Sequence, residues 1–178
     1  MKKYLFALLL FSYSCTTKRD PTPVVTAIKE TGKLVTAEYT LSKIIKANDN
    51  KTWYKVGDRK ILMSCEAYVK AGIDLRQITK ENVVQSDSSV SITLPRAAIF
   101  SLNIPAEKIQ LQYEEVGLLR DPFTAGDREA LLVQAQKQIE QLVDSLGILK
   151  TAEENAVVFL QKMLQGTTSK KINISVTK

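Results

Sequence analysis

The sequence of 178 residues contains no histidine and only two cysteines. Without histidine there is no Ser-His-Asp or Cys-His catalysis, no His-ligated zinc, no proximal-His haem and no imidazole pH switch. Two cysteines cannot hold an iron–sulfur cluster or a zinc site of four thiolates. Glycine is scarce as well, seven in all, and none falls at the spacing of a P-loop or a dinucleotide fingerprint. No apolar run reaches the roughly 20 residues that a spanning helix requires. The rest is ordinary globular material, 44% hydrophobic and 25% charged, of a length that suits one domain.

The first 14 residues have the layout of a secretory signal. Lys2 and Lys3 precede the eight-residue apolar run Tyr4–Phe11, and Ser12-Tyr13-Ser14-Cys15 comes next. This resembles a bacterial lipobox of the looser kind found in the Bacteroidetes group, with Ser12 where the stricter pattern prefers leucine. The resemblance implies that Cys15 is lipidated and becomes the first residue of the mature protein. Thr16–Pro23 is polar with two prolines and reads as an extended tether reaching about 25 Å at ~3.3 Å per residue. The resulting division is a signal peptide over 1–14, a lipidated cysteine and tether over 15–27, and one domain over 28–178. No acidic run comes after Cys15, which by the same resemblance implies a membrane-anchored, periplasm-facing position in the cell envelope.

Loss of Lys2 and Lys3 leaves 23 basic and 19 acidic residues, a net of +4 on 164 residues. No dense Lys/Arg stripe with interleaved aromatics is present, so nucleic acid is not an expected partner. The expected partners are the membrane, through the lipid, and an envelope protein. With Cys15 lipidated, Cys65 is the sole thiol and no internal disulfide can form.

The body begins with period-two alternation. In Leu34–Ser42, Val35, Ala37, Tyr39 and Leu41 share one face. Asn48-Asp49-Asn50 reads as a turn. In Ile61–Lys70, Ile61, Met63, Cys65, Ala67 and Val69 point one way, which makes Cys65 a small core hydrophobe. Val83-Val84 and Val90–Leu94 read as a hairpin pair. Ile109, Leu111 and Tyr113 alternate, and so do Ile172, Ile174 and Val176.

The C-terminal third switches to helical period. Leu131, Leu132, Ala135, Ile139, Leu142, Val143 and Leu146 form one stripe, capped by Thr124 or Asp127 and stopped by Gly147. A second helix is expected from Thr151, with Ala152, Ala156, Val157, Phe159, Leu160, Met163 and Leu164 apolar and Gly166 at its end. Strands, then two helices, then one strand predict an α+β fold. Its mainly antiparallel sheet would have both amphipathic helices packed on one face, and the last strand would return to it.

Two junctions stand out. Asp74 and Gln77 have capping-box spacing, so Asp74 reads as the cap of a short turn over Leu75–Ile78, with Gly72 allowing a sharp exit from the strand. Pro95 cannot continue a central strand and predicts a short helix through Phe100. With AGIDL at Ala71–Leu75, SITLP at Ser91–Pro95 and two helices joined through Gly147–Ala152, the chain over Lys33–Val176 resembles the bacterial domain of unknown function 4230. The resemblance implies a secreted, lipid-anchored or membrane-tethered protein with no assigned activity. Gly72, Asp74, Leu75 and Pro95 match the family pattern as fold determinants.

No catalytic, metal or cofactor site emerges. Glu114 and Glu115, adjacent in a strand, point to opposite faces, and Glu153 and Glu154 suit the first turn of a helix. Asp121 and Asp127 could offer oxygens to calcium but lack the EF-hand pattern, and a loop with a helix start explains them better. Lys170-Lys171 reads as a solvated strand start. The leading expectation is a non-catalytic binding or structural module. Two alternatives stay open: an envelope hydrolase using carboxylates or a Ser/Lys pair, which needs no histidine, and a carrier of a small apolar ligand.

Overall fold

The computed structural model describes residues 20–49, 57–166 and 168–177. Cys15, Asn50 and Trp53 lie outside them. The order of elements is α1 (Thr22–Glu30), β1 (Lys33–Asp49), β2 (Arg59–Asp74), β3 (Val83–Gln85), β4 (Ser89–Leu94), β5 (Ala98–Asn103), β6 (Ile109–Val116), α2 (Ala125–Ser145), α3 (Ile148–Gln165) and β7 (Lys171–Val176). This is an α+β fold with two C-terminal helices and a C-terminal strand.

The long strand β2 organises the larger sheet. Its inward residues Ile61, Met63, Cys65, Ala67 and Val69 are all buried, as the alternation predicts. β1 pairs antiparallel along its whole length. On the opposite edge, β6 pairs with Arg59–Cys65 and β5 with Tyr68–Gly72, so these two short strands lie end to end. A smaller sheet has the order β3-β4-β7. There β3 and β4 form the expected antiparallel pair, whereas β7 runs parallel to β4. The last strand therefore joins a second sheet and not the first. A parallel neighbour needs a long crossover, and α2 with α3 supplies it. α3 packs against β1, β2 and β7 and so joins both sheets; α2 packs on β1 and on α3. Ala135, Ile139 and Val143 of α2 and Ile148, Ala152, Ala156 and Leu160 of α3 complete one continuous core with the strands.

Several local expectations are corrected. First, helix α1 begins at Thr22, inside the stretch read as tether. Pro23 sits in its first turn, where no N–H is required, and Val25 and Ile28 are buried one turn apart. Second, β1 carries a bulge between Val35 and Ala37. An extra residue in one strand reverses the alternation, so Val35 is 41% exposed and Leu34 takes the inward place. Third, Pro95 leads into β5 and not into a helix. Lacking an N–H, it ends β4, and the chain then crosses to the larger sheet, where Ala98 meets Gly72. Fourth, α3 starts at Ile148, directly after Gly147, whose φ of +68° makes the turn between helices. Thr151 is thus already inside the helix, and its hydroxyl donates to the Gly147 carbonyl at 3.1 Å.

Ile109 and Leu111 sit opposite the inward Cys65 and Met63, but a bulge between Leu111 and Tyr113 breaks the alternation and sets Tyr113 opposite Leu62 on the outer face; Leu111 and Tyr113 are both about half exposed on edge strand β6. Asn48 and Asp49 belong to β1, not to a turn.

Candidate functional site

Three surface features have enough structure to act. A depression of about 680 Å³ lies on the outer face of the larger sheet. Register builds it. Glu38, Lys70 and Ser101 form one row across β1, β2 and β5, and Thr40, Tyr68 and Asn103 form the next. Tyr39 and Val69 complete the lining. The rows point away from the core because their neighbours in β2 point into it. Lys70 Nζ pairs with Glu38 at 3.1 Å and Lys108 with Glu66 at 3.1 Å. The hydrogen bond to Glu66 raises the Lys108 pKa, helped by the charge of Glu66 and by Tyr68. The basin thus combines hydroxyls, an amide and one half-buried aromatic ring, with its charges arranged in pairs.

The second feature is a groove of about 360 Å³ between the start of β1 and the outer side of α3. The bulge creates it. Thr36 Oγ1 donates to the Ala152 carbonyl at 2.7 Å, and Asn155 Nδ2 donates to the Thr36 carbonyl at 2.9 Å. These two bonds clamp β1 against α3 and leave Val35 facing outward beside Val158 and Phe159.

The third feature is the far end of the β1–β2 pair. Asp49 accepts from Arg59 at 2.9 Å and also pairs with Arg120, whose side chain is 5% exposed. Arg59 lies over the Phe123 ring at 4.6 Å and donates to the carbonyls of Asp121 and Pro122. The Arg59 hydrogen bond, with both guanidinium charges, holds the Asp49 carboxyl below its usual range. Thr124 and Asp127 close a capping box at the start of α2, and the Thr124 N–H lowers the Asp127 pKa. The Arg59 guanidinium, 3.5 Å from Asp127 and bonded to the Asp121 carbonyl, stands where a calcium ion on those two residues would sit. Among the described residues no three His, Cys, Asp or Glu side chains could hold a metal.

The motif residues converge on one junction. Gly72 is opposite Val35 on one side and Ala98 on the other. It does not mark an exit, since β2 continues to Asp74. A methyl group there would fall 2.8 Å from the Leu34 carbonyl carbon and 2.9 Å from Val35 Cα. Glycine is needed because the bulged strand β1 passes too close for a side chain. Asp74 does cap the 3-10 turn Leu75–Gln77, accepting from the Arg76 N–H at 3.1 Å. It also takes a two-point bond from the Arg76 guanidinium at 2.8 and 2.6 Å. That bond draws its pKa down to about 2. Ile73, Leu75 and Leu94 are fully buried around the junction. Pro95 leads the chain back to it, and the Ala97 N–H donates to Glu153 at 3.2 Å. These residues build the fold and present no reactive group to solvent.

Cys65 is buried, and desolvation raises its thiol pKa. Glu114 and Glu115 face opposite ways, Glu114 to Arg128 at 2.7 Å and Glu115 to Lys60 and Tyr113. Glu154 pairs with Lys150, one turn away. Lys170 donates to the Ser86 carbonyl at 2.7 Å, while Lys171 opens β7. Sequence reasoning did not single out Tyr68 or Phe159 as surface groups of a site. Tyr68 is an aromatic on the polar face of an alternating strand, a signal that was available, whereas the exposure of Phe159 depends on where β1 crosses α3.

Among the described residues, no helix is long and apolar enough to cross a membrane. No curated protein and no solved structure matches the chain. The model of one family, described as protein of unknown function (DUF4230), matches residues 26–174. That span runs from α1 to the last strand and contains the Gly72–Pro95 junction, so the chain belongs to the DUF4230 family.

Proposed function

We propose that the protein is a lipoprotein of the bacterial cell envelope, held to a membrane through Cys15 and facing the periplasm, where it acts as a non-catalytic binding or structural module. The observation that carries the reading is the segment Met1–Cys15, a charged start, eight apolar residues, small residues and then cysteine, set ahead of one folded domain. The polar groups of that domain support binding over catalysis. Glu114, Glu153 and Asp49 each neutralise an arginine or accept a backbone N–H, and Lys70, the lysine nearest Ser101 in register, reaches Glu38. The outer-face basin around Tyr68 is the surface this module would present, since it is open, polar and rigidly held by three strands. The continuous core weighs against a carrier of apolar ligands. The test is Cys15→Ala in the full chain with membrane fractionation. The variant is expected in the soluble fraction, and unchanged membrane retention would refute the anchor.

A further inference from the structure

We propose that the groove between β1 and α3, with its rim of exposed apolar side chains, is the face of the domain that rests on the anionic surface of the anchoring bilayer. The proposal rests on lipidation of Cys15. Val158 is 50% exposed, Phe159 47%, Val35 41% and Met163 39%, and exposed apolar side chains grouped in this way mark contact surfaces. Lys162 lines the same groove.

The chain itself says which partner fits. Cys15 and Thr22 are seven residues apart, so no conformation separates them by more than about 25 Å. Val24, in the first turn of α1, shares a small hollow with Leu164 and Thr168. The chain therefore enters the domain beside the last turn of α3, and Phe159 is about 7.5 Å further along that helix. A bilayer holding Cys15 lies within reach of this end. The opposite end of β1 is about 53 Å away at ~3.3 Å per residue.

Charge runs the same way. From Asn155 to Thr177 the sequence contains Lys162, Lys170 and Lys171 and no acidic residue. From Ile109 to Glu129, in β6 and the start of α2, it contains five acidic residues against two arginines. Anionic lipid attracts the first region, whereas in the second Glu114, Glu115 and Asp127 are held by Arg128, Lys60 and Arg59 and leave no comparable attraction. Exposed apolar side chains beside lysines are the composition of an interfacial contact, shallow and salt-sensitive.

The test uses the full lipidated chain in vesicles of phosphatidylethanolamine and phosphatidylglycerol. A polarity-sensitive fluorophore is placed by Phe159→Cys, or by Leu118→Cys as the control at the far end; buried Cys65 does not compete for the label. Spin-labelled lipids are expected to quench position 159 several-fold more than position 118, and high salt to reduce the difference. Equal quenching in vesicles that float with the protein would overturn the docking and leave the anchor standing. Failure of the lipidated chain to float, as Cys15→Ala should fail, would overturn both. A signal at 159 that tracks protein density and ignores spin-labelled lipid would assign the groove to a second copy, and so overturn the bilayer contact.

Discussion

Replacing Gly72 by alanine tests the central junction of the fold. Alanine normally improves on glycine in a regular element by about 0.5–1 kcal/mol, because glycine loses more freedom on folding. At Gly72 the new methyl meets Leu34 and Val35 backbone at 2.8 and 2.9 Å. Those atoms belong to a strand held on one side by β2 and on the other by the Thr36 and Asn155 bonds to α3. β1 cannot retreat without breaking one set. Forced overlap of this kind costs about 1–3 kcal/mol, which outweighs the entropic gain. For a domain of this size, a loss of about 2 kcal/mol lowers Tm by roughly 4–8 °C. Gly126→Ala is the matched control. Gly126 sits in the first turn of α2 with nothing nearer than Thr124 Oγ1 at 3.8 Å, so it should be neutral or slightly stabilising. Urea and thermal unfolding of both variants decide the matter. Gly72→Ala as stable as the native chain, or indistinguishable from Gly126→Ala, would refute the close-approach argument.

Asp74 gives a pH prediction. Its folded pKa of about 2 lies below the ordinary carboxylate value of 3.8, so its contribution is complete above that value and disappears as pH falls toward 2. Asp74→Asn keeps a capping side chain but lacks the charge. The stability gap between native and variant, measured by urea midpoints, should be constant near neutrality and close between about pH 4 and pH 2. A gap independent of pH would rule out the Arg76 pair as its source. Thr124→Ala removes the side-chain cap of α2 and should cost about 1 kcal/mol in the same assay, while an unchanged midpoint would show that Asp127 alone secures that end.

Much of the interior is legible along the chain because burial tracks periodicity. The inward set from Ile61 to Val69 and the stripe through Ala135, Ile139 and Val143 required only counting by two or by 3.6. Turn chemistry read equally well at Asp74, Thr124 and Gly147, where the deciding atoms are within three residues of each other. Val35 read wrongly, since a bulge is set by the fit to the partner strand and leaves no mark in a run that alternates on paper. Pro95 identified the end of β4, but not the type of the next element. Ala97–Phe100 suits either a helix or a strand, and the open edge of β2 beside Gly72 decided for the strand. The tether reading failed over Thr22–Ala27 because α1 is short and stands only by burying Val25 and Ile28.

By itself, then, the sequence determined the chemistry this chain cannot perform through histidine, the elements that alternate, and the caps and stops of its helices. These depend on residue type and near neighbours alone. Tertiary structure decided that the described strands divide between two sheets, that β7 runs parallel to β4, that glycine is required at 72, and that Phe159 and Val158 face outward beside the point where the chain enters the domain. Each of these depends on which strands and helices meet between segments distant in the chain, and no local pattern records that meeting.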